Sequence, residues 1–461
     1  MGLSVVILAA GIGSRMRSDR PKVMQPIMGK PMLAHVLMQA SKLNPAQIVV
    51  VVGNKAEIIE EYLHNQEICK PQVVKQKELL GTGHAVLQAL EYIDSENQVL
   101  VLLGDVPGVD GEELLNFIKL SNGKLGIMTA EVEDPYGLGR IIRDEKEKLI
   151  SVVEQVNANE KQLLVKEVNT GIVTASAKFL KEYLPLIEAD KIKKEYYLLS
   201  ILPFWLENFD NAVTYKSKNY LYLQGVNTPK ELYNMRRMMQ KRFLLGLLEK
   251  GVDICDINQV QIRGKINVEK ESFIDVNVIL QENVSIGKNC IIGAGVVLKN
   301  CVVGDNVIIK PYSVCENVTI SNNAQIGPFA NLSASTFIGD SSYIGSFVEV
   351  KRSIVGENVK AKHLAYLGDA EIEANVNIGA GVITCNYDGA NKHKSKIQKD
   401  SFVGAGVNLV APIVIEKNAF VAAGTTLREN APEGKLVVAS IKPKFLSWKK
   451  PCKKASTLME Q

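Results

Sequence analysis

Several features are scarce or absent in this chain of 461 residues, and each absence narrows its class. Its seven cysteines, Cys69, Cys255, Cys290, Cys301, Cys315, Cys385 and Cys452, are odd in number and widely spaced, with no Cys-x-x-Cys pair. That argues against a disulfide framework and for reduced thiols, mostly buried. No apolar run is long enough to span a bilayer, so no membrane partner is expected. The apolar stretch at residues 3–10 ends at Gly11 and follows no basic segment. It reads as a buried first strand rather than a signal peptide, and the expected compartment is the cytoplasm. The net charge is only +4, which gives no argument for a nucleic-acid partner. What remains is ordinary: 46% hydrophobic and 23% charged residues, as in a globular protein, at a length that calls for two domains.

The two halves differ in texture. Short apolar runs at residues 3–9, 48–52 and 99–103 alternate with helical patterns such as 31–43 and 83–92, which predicts a parallel sheet covered on both faces. A long helix is predicted from Thr228. Pro229 suits its first turn, and Leu232, Met235, Met239, Phe243, Leu244 and Leu247 recur at helical spacing. Its other face carries Arg236, Arg237, Lys241 and Arg242, read as a solvated basic face on a connecting helix rather than a membrane-surface helix. After Gly251 aliphatic residues recur every six positions: Ile286, Ile292 and Leu298, then Ile320, Ile326, Leu332, Ile338, Ile344 and Val350. Gly287, Gly293, Gly327, Gly339 and Gly345 each follow one of them, as expected if glycine takes positive φ at the corners of a triangular coil. Such a short repeat signals a solenoid and is similar to the left-handed parallel β-helix of the hexapeptide-repeat acyltransferases. The boundaries so drawn are residues 1–227, a helical linker at 228–250, and a β-helix with a C-terminal tail at 251–461.

The most informative local motif runs from Leu8 through Ala9, Ala10, Gly11, Gly13 and Arg15 to Pro21-Lys22. A strand ending in a glycine turn offers backbone N–H groups to phosphate oxygens, and Arg15 and Lys22 add positive charge. A dinucleotide fingerprint would want a third glycine where Met16 stands. Downstream, Gln76 precedes the turn Gly81-Thr82-Gly83, suited to a base edge. Asp105 follows an apolar strand, where open α/β sheets bind ligands, and is a candidate Mg²⁺ ligand. Gly137-Leu-Gly139-Arg140, Glu154 and Asn169-Thr-Gly171 suit a sugar, and Asn227 ends a last strand as a second metal ligand.

In the second half His363 stands out among only five histidines. Alone it would read as a structural side chain. The motif Cys385-Asn386-Tyr387-Asp388-Gly389 interrupts the six-residue period like an excursion loop, and loops on a rigid solenoid are natural sites for function.

Taken together, these motifs resemble the bacterial bifunctional N-acetylglucosamine-1-phosphate uridyltransferase/glucosamine-1-phosphate acetyltransferase family over nearly the whole chain. The resemblance implies a Rossmann-like α/β nucleotidyltransferase domain followed by a left-handed β-helix, assembled as a homotrimer. It implies that Leu8, Ala9, Ala10, Gly11, Lys22, Gln76, Gly81 and Thr82 contact the uridine nucleotide of UTP, and that Asp105 and Asn227 hold Mg²⁺. Gly139, Glu154, Asn169 and Asn227 would contact the N-acetylglucosamine side, with N-acetylglucosamine 1-phosphate as acceptor. Arg15 and Lys22 would neutralise departing pyrophosphate. For acetyl transfer to glucosamine 1-phosphate, His363 would be the general base, in the range where histidine titrates. Lys351 and Tyr366 would bind the sugar phosphate, Asn377 the sugar, and Ala380, Asn386, Tyr387, Ala405 and Ala423 acetyl-CoA. The chain departs from the family pattern at Leu199-Ser200, where Thr-Asp is usual, at Ser333, where an arginine is usual, at Ala405, where serine is usual, and near Ser440, where the basic residue is offset to Lys442. Two further readings compete: a single-activity sugar nucleotidyltransferase with the β-helix serving assembly only, and a trimeric scaffold without catalysis.

Overall fold

The computed structural model describes residues 2–209, 211–439 and 447, which pack as two compact units. Ser440 and Lys442, and Cys452, lie outside the described residues.

The first unit is built on a nine-stranded sheet. Its main path runs Val213–Ser217, Gly126–Glu131, Glu167–Ser176, Gln98–Leu103, Leu3–Ala9, Gln47–Val52 and Gln72–Lys75. Strand Leu3–Ala9 lies between Gln47–Val52 and Gln98–Leu103, parallel to both. The sheet is not wholly parallel, as the alternating pattern predicted: Glu167–Ser176 runs antiparallel to both its neighbours. Only two single turns, Gln155–Asn157 and Glu160–Leu163, separate it from the hairpin Arg140–Arg143 and Leu149–Val153 that precedes it, so no crossover helix forces it parallel. Both faces are covered. Val6, Val49, Val51, Val99 and Val101 point into one apolar core, with Phe179 and Trp205. Val5, Ile7, Val50, Leu100 and Leu102 point into the other, with Leu33, Leu37 and Phe117. Strands buried on both faces read as continuous apolar runs, which is why the sequence marked them so clearly.

The long helix is Pro229–Glu249, with Thr228 and Glu231 in a reciprocal cap and proline in its first turn. It packs on the first unit: Leu232, Met235 and Met239 join Met16, Ile27, Met32 and Val226 in one cluster. Its basic face is only partly solvated. Arg236 donates from Nε to the Pro26 carbonyl at 2.8 Å. Arg242 donates to the Gly108 carbonyl at 2.8 Å and lies over the Tyr222 ring at 4.4 Å.

In the second unit short parallel strands follow one another in chain order, each pairing with the strand one coil further on. Ile309 pairs with Ile326, Ile326 with Ile344 and Ala361 with Ile378. The step then lengthens, with Ile378 paired to Val403, because residues 386–392 leave the coil as a loop. All nine aliphatic repeat residues named above are 0–1% exposed, forming the interior column. The glycines correct the expectation. Of Gly287, Gly293, Gly327, Gly339 and Gly345, only Gly327 has positive φ. The others are glycine because a Cβ would strike the neighbouring coil; at Gly293 it would lie 2.9 Å from the Pro311 nitrogen. One column of left-handed corners is taken mostly by asparagine instead, at Asn289, Asn306, Asn323, Asn358 and Asn375. Asparagine visits that region more readily than other side chains that carry a Cβ. Two steps of that column are linked by side-chain amides, Asn289 to Asn306 and Asn358 to Asn375, each at 3.2 Å.

Candidate active site

In the first unit, the ends of Leu3–Ala9 and Gln98–Leu103 open onto a cavity of about 410 Å³. Leu8, Ala9, Ala10, Gly11, Lys22, Gln76, Gly81, Thr82 and Asp105 all line it. The sequence did not single out Ile12, Val23, Leu79, Ala85, Leu103 or Glu195, which complete its wall. Arg15 is not part of that lining; it lies exposed in the one-turn helix Ser14–Met16. Gly81 has φ of 103°, and a Cβ there would lie 2.7 Å from the Tyr196 carbonyl. Only glycine lets that turn fold under the cavity. Buried Gln76 donates to the Gly81 carbonyl at 3.2 Å and meets His84 Nδ1 at 3.0 Å, which holds its amide at the cavity wall.

The charged end of the cavity is organised by Lys22. Its ammonium forms a close ion pair with Asp105 Oδ2 and donates to Asn227 Oδ1 at 3.0 Å. The Asn227 amide is oriented by donating to the Gly225 carbonyl at 3.2 Å, and the Val226 N–H donates to the Asp105 carbonyl at 2.9 Å. Two oxygens from distant parts of the chain thus converge on one cation, a donor pair suited to a hard ion that also takes phosphate oxygens.

Gly139, Glu154 and Asn169 are also brought together. Asn169 N–H donates to the Gly139 carbonyl at 2.9 Å, and a Cβ on Gly139 would lie 3.1 Å from Glu154 Oε1. Burial pushes the Glu154 carboxyl above its usual range; Asp190 and Glu195 add to this and Lys193 opposes it. Glu154 lines a second cavity of about 390 Å³ with Tyr197, Leu199 and Ser200. The Leu199-Ser200 departure therefore falls beside the proposed sugar residues. Tyr197, which the sequence did not single out, belongs here too. Its hydroxyl is buried without a hydrogen-bond partner among the described residues, and burial raises its pKa to about 12.

In the second unit the expected residues form two groups. One is a column: His363 lies beside Ser346 of the preceding coil, Gly381 N–H donates to the Leu364 carbonyl at 2.5 Å, Gly406 N–H to Ala380 at 2.7 Å, and Gly424 N–H to Ala405 at 2.8 Å. His363, Ala380, Ala405 and Ala423 therefore stack on successive coils, all exposed. Ala405 contributes its backbone to this column whatever its side chain. The other group gathers at Gly368, which Tyr366 Oη and the Asn386 amide both crowd, and which pairs with Lys351. Ser333 is the partner of Lys351 on the coil before. Arg352 makes a bidentate pair with Asp369 at 2.7 and 2.8 Å, and Asn386 donates to the same carboxylate. Asn377 sits apart, in a strand paired with Lys360 and Phe402. Tyr387 is exposed in the loop, where Asp388 accepts from Ala390 and Asn391 N–H and meets His393 Nε2 at 2.6 Å. Of the six described cysteines, all free, three are buried: Cys290, Cys301 and Cys315. Cys69 and Cys385 are half-buried and Cys255 is exposed, so "mostly buried" overstates it.

With this geometry in view, comparison with known proteins is decisive. Residues 5–158 match the MobA-like NTP transferase domain. Residues 265–300 match the bacterial transferase hexapeptide of six repeats, and 299–328 and 396–429 the hexapeptide repeat of succinyl-transferase. The "Bifunctional protein GlmU" of Francisella philomiragia is 42% identical over 98% of this chain and 100% of its own. The proteins of that name from Francisella tularensis subsp. novicida and Legionella pneumophila are 44% and 42% identical, over 98% of this chain and 99% of theirs. The chain belongs to the GlmU family. GlmU membership and the two transferase domains carry the bifunctional reading: a nucleotidyl transfer domain, then a hexapeptide acyl transfer domain. They also weigh against the single-activity and scaffold readings. The solved structure of HddC from Yersinia pseudotuberculosis overlaps 52% of this GlmU chain at 22% identity and a TM-score of 0.37, too distant to bear on the site. Among the described residues no helix is long and apolar enough to cross a membrane.

Proposed function

We propose that the chain acetylates glucosamine 1-phosphate from acetyl-CoA in its β-helix, then transfers a uridylyl group from UTP to N-acetylglucosamine 1-phosphate in its first unit. The observation that carries the uridylyl half is the Lys22 ammonium held between Asp105 and Asn227 at the mouth of the Leu8–Gln76–Thr82 cavity. When bound there, Mg²⁺ would neutralise charge on the phosphates, with Asp105 and Asn227 as its protein ligands. Lys22 then turns its charge to the leaving pyrophosphate, while Gln76, Gly81 and Thr82 fix the base. Gly139, Glu154 and Asn169 orient the acceptor so that its phosphate oxygen attacks the α-phosphorus in line. Positioning and charge neutralisation do the work, and no covalent protein intermediate is needed. Arg15, exposed and outside the cavity lining, can assist only by reaching over the triphosphate.

In the β-helix, His363 removes a proton from the glucosamine amine as that amine attacks the thioester carbon, and CoA leaves as the thiol. The alanine column offers exposed backbone to acetyl-CoA, while Lys351, Tyr366 and Asn377 hold the sugar phosphate. Because the His363 column and the Gly368 group form separate clusters on the coil, a site completed by neighbouring copies in a homotrimer suits them. The thiols of the six described cysteines, all free, are in keeping with a reducing cytoplasm. Asp105→Ala should lower Mg²⁺-dependent pyrophosphate release by at least on the order of a hundredfold and leave release of CoA thiol unchanged. Normal uridylyl transfer by that variant would remove Asp105 from the metal site.

A further inference from the structure

The first unit holds a larger cavity that neither reaction uses. It has a volume of about 800 Å³, within the range of small-molecule sites. One wall is the helix Pro229–Glu249, which presents Tyr233, Arg237 and Lys241 at steps of four. The facing wall is chain from residues 257–263, with Arg263. Arg236 completes four cations in the lining, against one acid, Glu282. Like charges four apart on a helix cost stability, and Arg237 and Lys241 are such a pair. Arg236 is half-buried and anchored through Nε to Pro26. Arg237 reaches Asn258 at 3.3 Å, whereas Lys241 and Arg263 are exposed and make no ion pair or hydrogen bond with the described residues. The cavity is also preformed. The Gln240 side chain donates to the Ile262 carbonyl at 2.8 Å and accepts from the Ile262 N–H at 3.0 Å, clamping strand to helix. Met28 and Tyr233 add apolar surface beside the charges.

We propose that this cavity binds a phosphate-bearing small molecule, its anion held by Arg237, Lys241 and Arg263 and its body resting on Tyr233 and Met28. An anion there relieves the mutual repulsion of the cations and meets planar guanidinium forks matched to phosphate oxygens. The cations come from two segments of chain fixed to each other, so a compact polyphosphate fits better than an extended polymer.

The test uses the full chain with tripolyphosphate, titrated calorimetrically in EDTA and low salt. Wild type should bind, with affinity falling as salt rises. The exposed-site variant Arg237→Gln/Lys241→Gln/Arg263→Gln should bind on the order of ten- to a hundredfold more weakly. Its far-ultraviolet circular dichroism and KM for UTP should match wild type. The single substitution Lys241→Glu, on an exposed position, should weaken binding in the same direction with no change in fold. Equal binding by wild type and the triple variant would overturn the proposal, as would no binding by wild type. A raised KM for UTP in the triple variant would place the effect at the nucleotide cavity and also overturn it. So would single-stranded DNA binding as tightly as tripolyphosphate, since the surface would then be a general polyanion patch.

Discussion

Ser333 shows how one side chain can redirect substrate recognition. It pairs with Lys351 on the next coil and Glu316 on the previous one, so a carboxylate lies on one side of it. Arg352 could have replaced the missing arginine, but its guanidinium is committed to Asp369, which it holds below the usual carboxylate range. Lys351 is then the remaining cation for the sugar phosphate. The lost contact is worth about 1.5 to 3 kcal/mol, or about ten- to a hundredfold in binding. Steady-state assays should show Ser333→Arg lowering the KM for glucosamine 1-phosphate by that order with uridylyl transfer unchanged; equal KM values would mean that Lys351 suffices. Glu154 is the opposite case, a charge kept at a cost. Its carboxyl is raised by burial, so its ionised form destabilises the fold at pH values above its folded pKa. That cost fades as pH falls through the folded pKa and vanishes below the unfolded value. Glu154→Gln should therefore melt higher than wild type at pH 7.5, converge with it in acid, and bind the acceptor sugar more weakly. Parallel melting curves at both pH values would show that burial is not the cause.

At the scale of the element, the coil is limited by backbone approach. At Gly356 an added Cβ would lie 2.9 Å from the Glu373 carbonyl carbon and 3.0 Å from the Ala374 nitrogen, both backbone atoms that cannot rotate away. Gly356→Ala should cost roughly 1–3 kcal/mol, as overpacking does, measured by urea unfolding of the intact chain; a loss under half a kcal/mol would mean that the coils separate easily. The same elements show what was legible in the sequence. The six-residue aliphatic period announced the coil, because most interior positions recur at that spacing and stack on their copies in the next coil. It could not tell which corner residue takes positive φ, since asparagine and glycine both do and the glycines proved to be needed for clearance. The strand-end motifs around Leu8, Gln76 and Asp105 were readable because the chemistry sits where strands stop. Tyr197 and the wall residues Leu79 and Glu195 were not, because their part depends on segments far apart in the chain. The antiparallel strand Glu167–Ser176 was missed because an apolar run has no direction written in it. The helix face with Arg236 and Arg242 was read as solvated, since periodicity cannot foresee a carbonyl within reach of a guanidinium.

For the molecule as a whole, the open question is what covers one corner of the β-helix. Tyr312, Phe329 and Phe347 stack there at 5.4 and 5.3 Å between ring centres, and Leu364 follows on the next coil. All four have positive φ, at 59°, 55°, 57° and 37°. Large side chains seldom accept that backbone, which costs them roughly 1–2 kcal/mol each. A neighbouring corner meets the same need with asparagine, so a requirement other than folding the coil must hold these side chains in place. They are also 47–63% exposed, and a contiguous apolar ladder in water marks an interaction surface. The proposed homotrimer supplies an occupant, a second copy of this chain, and Leu364 adjoins His363, where a neighbouring copy would help to complete the acetyl site. The two effects separate in one substitution. Phe347→Asn relieves the backbone, so the β-helix should resist urea at least as well as wild type. It also removes an aromatic worth about 1.5–3 kcal/mol of burial from each interface, so sedimentation equilibrium should show association weakened by at least on the order of tenfold. Acetyl transfer should become dependent on protein concentration while uridylyl transfer does not. A variant that associates as tightly as wild type would take the ladder out of the interface, and a wild-type chain that sediments as a monomer would remove the trimer itself.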